Sequence, residues 1–173
     1  MSLRKLAYLT AKTDRLDIRP VTEADLASVF EIHRQDEVNK FLPYETWQDM
    51  QDAQAWYEVV KERRDSESAE QFVLFEGGKL VGSMIFFSYN ANQRECELGY
   101  VLNKPFWGQG YMVEALNEML PSVAKLLNLK HFVATVEAEN IASIKLLSRL
   151  GFRQSGEVVE KGILLKLFRS QAL

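Results

Sequence analysis

At 173 residues the chain is the size of one domain, or at most two very small ones, and 47% hydrophobic content supplies a core able to hide roughly 70% of the surface that an unfolded chain of this length exposes. Its 21 Lys and Arg against 24 Asp and Glu leave a net charge of −3, without the basic excess that nucleic acids or anionic membranes select, so neither is an expected partner. A single cysteine, Cys96, excludes an internal disulfide, and with only His33 and His131 it has no familiar metal-ligand spacing, so no metal is expected.

Arg4 and Lys5 precede a short apolar patch, Leu6 to Leu9, that Thr10 and Lys12 interrupt. No signal-peptide core is present and a cytoplasmic location is expected. Arg15-Leu-Asp-Ile-Arg-Pro20 alternates apolar and charged residues and predicts a first strand ended by Pro20. Thr22 with Asp25 is an approximate capping signal for a helix over about 23–34. After an irregular stretch, Thr46 as cap and Met50, Ala53, Trp56, Tyr57 and Val60 on one face predict a second helix that fades near Arg63 to Ser68.

The period then changes. Gln71 to Glu76, Lys79 to Tyr89 and Glu95 to Leu102 are rich in Val, Ile, Phe and Tyr, with a Gly77-Gly78 hairpin turn between the first two, and predict three antiparallel strands. From Gly110, apolar residues in steps of three and four predict a helix, in which Pro121 should produce a kink or an early stop by clashing with the Asn117 carbonyl. His131 to Val136 reads as a strand, Asn140 as the N-cap of a helix closed by Gly151, and Lys161 to Arg169 as a final strand. The longest charge-free run, Leu80 to Gln93, spans 14 residues, short of the roughly 20 that a membrane helix requires. The order is that of one α/β domain over residues 1–173, with a mixed sheet.

The most informative segment is Leu98-Gly-Tyr-Val-Leu-Asn-Lys-Pro-Phe-Trp-Gly-Gln-Gly-Tyr-Met-Val-Glu-Ala115, a strand, a glycine-containing turn and a helix start. That is the layout of an anion site, because the N–H groups of a first helical turn lack internal partners. A tight turn without a ligand has the same glycines. A P-loop is excluded, since no Gly-Lys-Ser/Thr follows, and the dinucleotide fingerprint lacks its third glycine.

Pro105 to Ala115, together with Glu139-Asn-Ile-Ala-Ser143 and Leu150-Gly-Phe152, resembles the GNAT acetyltransferases, and within them the RimJ/RimL-like branch of ribosomal-protein N-acetyltransferases. The resemblance runs from Thr13 to the last strand. It implies a single GNAT domain, with a mixed, mostly antiparallel sheet of about six to seven strands and about four helices, and acetyl-CoA as co-substrate. It assigns the coenzyme A pyrophosphate to Trp107, Gly108, Gln109, Gly110, Tyr111 and Met112. Trp107 replaces the usual Gln or Arg, and Met112 stands where Gly or Ala is usual, a side chain large enough to crowd the phosphate.

The resemblance further implies that the strand from Glu95 to Leu102 splays from its neighbour, with Tyr100 and Leu102 contacting the pantetheine arm, and that Asn140 and Ser143 face the cofactor. Asn140 is also explained as a plain N-cap. The implied reaction moves an acetyl group from a thioester to a primary amine, which needs a base, an oxyanion donor and an acid for the thiolate. Glu97 is the candidate base, with Glu95 as fallback. A main-chain N–H near Gly99 or Tyr100 is the oxyanion donor. The tyrosine that many family members use as acid is Leu147 here, which leaves Ser143 as substitute.

For the acceptor, the resemblance points to the first two helices and their connection, where Phe41, Tyr44 and Trp47 lie in loop-like sequence. Residues 20–76 hold 14 acids against 5 bases, which favours a cationic acceptor such as a protein N-terminus or a polyamine, although solvated helix faces have the same composition. A monomer or homodimer is expected. The rival from another class is a non-catalytic acyl-CoA-binding module, which would keep Gly108, Gly110 and Asn140 and need no base.

Overall fold

The computed structural model describes residues 3–171. Eight strands form one mixed sheet in the order β1-β2-β3-β4-β5-β6-β8-β7. They are β1 (Ala11–Lys12), β2 (Asp17–Pro20), β3 (Ala69–Glu76), β4 (Lys79–Asn90), β5 (Glu95–Leu102), β6 (His131–Glu137), β7 (Arg153–Glu160) and β8 (Ile163–Arg169). Five α-helices accompany them: α1 (Leu26–His33), α2 (Asp36–Asn39), α3 (Met50–Asp65), α4 (Tyr111–Leu127) and α5 (Ile141–Arg149). Short 3-10 turns occupy Leu3–Tyr8, Glu23–Asp25 and Lys104–Phe106.

The fold class agrees with the sequence reading, and several local differences have physical reasons. The second long helix is capped by Asp49, not Thr46: the Asp49 carboxylate accepts from the Gln51 N–H at 2.7 Å, and Asp52 accepts from the Asp49 N–H at 3.3 Å, a reciprocal arrangement that fixes the start. Helix α4 runs through Pro121 without stopping. Both Pro121 and Asn117 face solvent, so water can satisfy the carbonyl that the proline cannot bond. Strand β7 is absent from the sequence reading because Arg153-Gln-Ser-Gly-Glu-Val-Val-Glu160 carries no apolar face; it is the edge of the sheet and is exposed almost throughout.

Two apolar layers cover the sheet. On one face α4, α5 and the N-terminal 3-10 turn pack on Phe72, Phe86 and Phe132, whose rings meet edge to face or tilted at 6.0 and 5.9 Å across the central strands. On the other, α1 and α3 bury Val29, Ile32, Trp47, Ala53 and Val60 against Val73 and Leu80. Helix α4 connects β5 to β6, which is what allows those two strands to run parallel.

Candidate active site

Strands β5 and β6 pair only at Glu95–His131, Cys96–Phe132 and Glu97–Val133. Beyond Glu97 they part, while β5 stays bonded to β4 as far as Leu102. The Asn103 N–H donates to the Val81 carbonyl on the β4 side, so by strand alternation Glu97, Gly99 and Val101 direct their main-chain groups to β4. Tyr100 and Leu102 direct theirs into the opening. The oxyanion donor expected near Gly99 or Tyr100 is therefore confined to Tyr100, because the Gly99 N–H belongs to the ladder. The Leu102 carbonyl is already engaged by the Trp107 indole N–H at 2.8 Å, which leaves the Leu102 N–H and both main-chain groups of Tyr100 along this edge.

The turn after β5 is built by two glycines in the left-handed region, Gly108 at φ +71° and Gly110 at φ +80°, where an L side chain would be strained. Helix α4 begins immediately after, and the N–H groups from Gly108 to Val113 have no acceptor among the described residues. Such a run of unpartnered donors at the positive end of a helix is suited to hold an anion. The side chains point elsewhere. Gln109 donates back to the Pro105 carbonyl at 2.7 Å, Tyr111 donates to Glu76 at 2.7 Å, and Trp107, 44% exposed, braces the strand. Met112 corrects the sequence expectation: at 1% exposure its side chain lies in the core under α4 and does not crowd the anion site.

Glu97 sits at the fork. Its carboxylate accepts from the Thr135 hydroxyl at 3.0 Å, and Thr135 lies on β6 just past the last β5–β6 pair. Burial pushes the Glu97 carboxyl above the ordinary carboxylate range, the Thr135 hydrogen bond opposes this, and the like charge of Glu160 adds to it. Glu95, the fallback base, is placed differently. Its carboxylate is buried at the closed end of the fork in an ion pair with Arg169.

Side chains on β5 alternate between the two faces. Glu97, Gly99 and Val101 share the α1/α3 face, where Val101 packs, whereas Leu98, Tyr100 and Leu102 belong to the α4/α5 face. There the Tyr100 hydroxyl lies 2.7 Å from the Ser143 Oγ, and burial pushes the phenol up to about 12. Asn140 caps α5 by accepting from the Ser143 N–H at 3.1 Å, the N-cap role expected of it. Leu147 is fully buried in the core. The opening thus has a carboxylate on one face of the sheet and a pair of hydroxyls on the other.

Among the acceptor candidates, Phe41 is half-buried beneath the Lys40 ammonium, 4.9 Å from its ring, and the Tyr44 hydroxyl approaches His33 Nδ1 at 3.4 Å. Trp47 is a core residue instead, 7% exposed, with its ring 4.5 Å from that of His33 and 5.8 Å from that of Trp56. Its main chain is tied to the His33 carbonyl at 3.0 Å, so a stretch that reads as a loop packs as core. On this face a cavity of about 20 Å³ is lined by Trp56, Val60, Arg63, Gln71 and Ile85, and Ile85 pairs with Gly99 beside Glu97. Thr135 and Glu160, which tune Glu97, carry no sequence signature that links them to it.

The acetyltransferase (GNAT) domain family matches residues 15–153. The chain is 30% identical over 144 residues to the uncharacterized N-acetyltransferase YnaD of Bacillus subtilis strain 168, covering 83% of this chain and 82% of that protein. It is 24% identical over 145 residues to a ribosomal-protein-serine acetyltransferase of Escherichia coli K12, covering 76% and 80%. Among solved structures, the spermidine N-acetyltransferase of Vibrio cholerae in complex with CoA and spermine shares the fold, with a TM-score of 0.78 over 91% of this chain and 95% of that one at 19% identity.

Proposed function

The chain belongs to the GNAT family and is an acetyl-CoA-dependent N-acetyltransferase, and from that premise we propose that its acceptor is the α-amine of a protein N-terminus, deprotonated by Glu97. The observation that carries this reading is the half-buried Glu97 carboxylate at the fork of β5 and β6, with its affinity for protons raised by burial. An α-amine has a pKa near 8, against about 10 for a lysine or a polyamine, so a carboxylate raised above its usual range is better matched to the α-amine. The Escherichia coli relative named as a ribosomal-protein-serine acetyltransferase supports the same acceptor class.

Acetyl-CoA supplies the activated acetyl group, and the unpartnered main-chain groups of the site fit it. The Tyr100 and Leu102 edge suits the amide-bearing pantetheine arm, and the N–H groups from Gly108 to Val113 suit the pyrophosphate. Glu97 takes the amine proton on the α1/α3 face, held in place by Thr135. The Tyr100 N–H faces the opening as a donor for the carbonyl oxygen as negative charge develops on it. On the α4/α5 face, the Tyr100 hydroxyl with Ser143 holds the proton that the leaving sulfur requires.

A polyamine acceptor is the second reading. It is favoured by the acidic balance of residues 20–76, 14 acids against 5 bases, and by the fold shared with a spermidine acetyltransferase. Thiol release from acetyl-CoA, measured with free N-terminal peptides, the same peptides blocked at the α-amine, spermidine and simple amines, separates the two. Turnover confined to free α-amines is the expected result, preference for spermidine selects the second reading, and no turnover in any arm despite tight CoA binding overturns both.

A further inference from the structure

The N–H donors of the Gly108–Val113 turn can hold an anion only if the intervening carbonyls face away from it, and nothing in a glycine-rich turn enforces that. A trans peptide sets its C=O and N–H in opposite directions, so the orientation of the Gln109 carbonyl decides where the Gly110 N–H points. Gly110 tolerates either sign of φ, which leaves this peptide free to turn over on local grounds. Arg15, from the connection between β1 and β2, reaches this peptide. Both terminal nitrogens of its guanidinium donate to the Gln109 carbonyl at 3.2 Å.

The same guanidinium is itself held from two further sides. It lies 3.8 Å above the Tyr111 ring, and its Nε donates to the Glu114 Oε2 at 2.6 Å, with Nη2 paired to that same oxygen at 2.6 Å. Tyr111 is fixed in turn by its hydroxyl on Glu76, and the other Glu114 oxygen accepts from the Arg15 main-chain N–H and the Thr13 hydroxyl. Glu114 stands one turn into α4, where its charge would oppose an incoming anion; the guanidinium neutralises it.

We propose that Arg15 is a positioning residue for coenzyme A: it locks the Gln109–Gly110 peptide with the carbonyl turned outward and the N–H turned into the pyrophosphate site. The inference rests on the reading of this turn as the pyrophosphate cradle. It assigns Arg15 no contact with the reacting atoms, so its effect should appear only with ligands that carry a pyrophosphate. The planar fork is essential, and a lysine, which offers one compact ammonium, should not replace it.

The test compares R15Q and R15K with the unaltered protein in two measurements, after thermal unfolding confirms that all three are folded. Calorimetry gives the affinity for CoA and for pantetheine, and steady-state kinetics gives kcat and KM with acetyl-CoA and with S-acetylpantetheine, which lacks the pyrophosphate. In both variants the CoA affinity should fall about 10-fold or more and the KM for acetyl-CoA rise in parallel, with kcat little changed. Turnover of S-acetylpantetheine should stay within about two-fold of the unaltered protein. Equal losses with both donors, or an unchanged CoA affinity, would overturn the role of Arg15. An unaltered protein that binds CoA no more tightly than pantetheine would instead overturn the cradle reading itself.

Discussion

The Tyr100 hydroxyl stands 2.7 Å from the Ser143 Oγ, joining the free edge of β5 to the first turn of α5 on the face of the sheet opposite Glu97. Leu147 is buried one turn further along the same helix, so on the proposed reading this pair is the proton source on the α4/α5 face of the opening. Tyr100→Phe should lower kcat about 100-fold while leaving the KM for acetyl-CoA nearly unchanged. Ser143→Ala should cost less. The double variant should be little worse than Tyr100→Phe alone, because the two groups act as one unit; steady-state kinetics of the three proteins measures this, and additive losses would separate them.

On the proposed reading Glu97 is the base and works only when ionised, and burial raises its pKa. Activity should therefore be full above that raised value and fall as pH drops through it, at a higher pH than an unperturbed glutamate would give. Glu97→Gln should remove this acidic limb and cut kcat by about 100-fold or more, with CoA affinity retained. Thr135→Val, which removes the one interaction that lowers the pKa, should move the limb to still higher pH. A pH profile of kcat/KM checks all three.

Met112 and Trp47 should behave as core residues. Met112→Ala should destabilise the fold by about 2–5 kcal/mol and Trp47→Ala by about 3–5 kcal/mol in denaturant unfolding. Folded Met112→Ala should show an unchanged KM for acetyl-CoA, whereas tighter binding would mean that the side chain does reach the phosphate.

His33 is buried, its Nδ1 lies 3.1 Å from the Asn39 Oδ1, and burial lowers its pKa. A histidine whose folded pKa is depressed stabilises the fold fully above its unfolded pKa of about 6.5 and loses that contribution as pH falls from there through the folded value. Unfolding free energy should thus decline below about pH 6.5, before most carboxylates titrate. His33→Gln should be less stable at neutral pH and show a flatter slope over the same window.

How far the chain could be read without its structure varied with the distance between partners. The β3–β4–β5 meander, α4 and the cap at Asn140 are local patterns, and each appears where its spacing places it. The turn from Trp107 to Met112 was legible as a motif, yet which atoms it offers was not: only the fold shows that the main chain faces the anion site while Met112 turns into the core. Arg15 and Glu114 are 99 positions apart and Glu97 and Thr135 are 38 apart, so no periodicity links them. Strand β7 has no apolar face to give it away, and Trp47 is drawn into the core by His33 and Trp56 despite lying outside any helix.

The parting of β5 and β6 makes the sheet a wall with a window in it. On the proposed reading the thioester arrives from one room and the amine from the other, and only the reacting atoms share the frame. Neither visitor stands in the other's doorway. Double-reciprocal plots for the two substrates should then intersect instead of running parallel, and the spent thiol can leave while an acceptor as bulky as a folded protein is still docked on the far side.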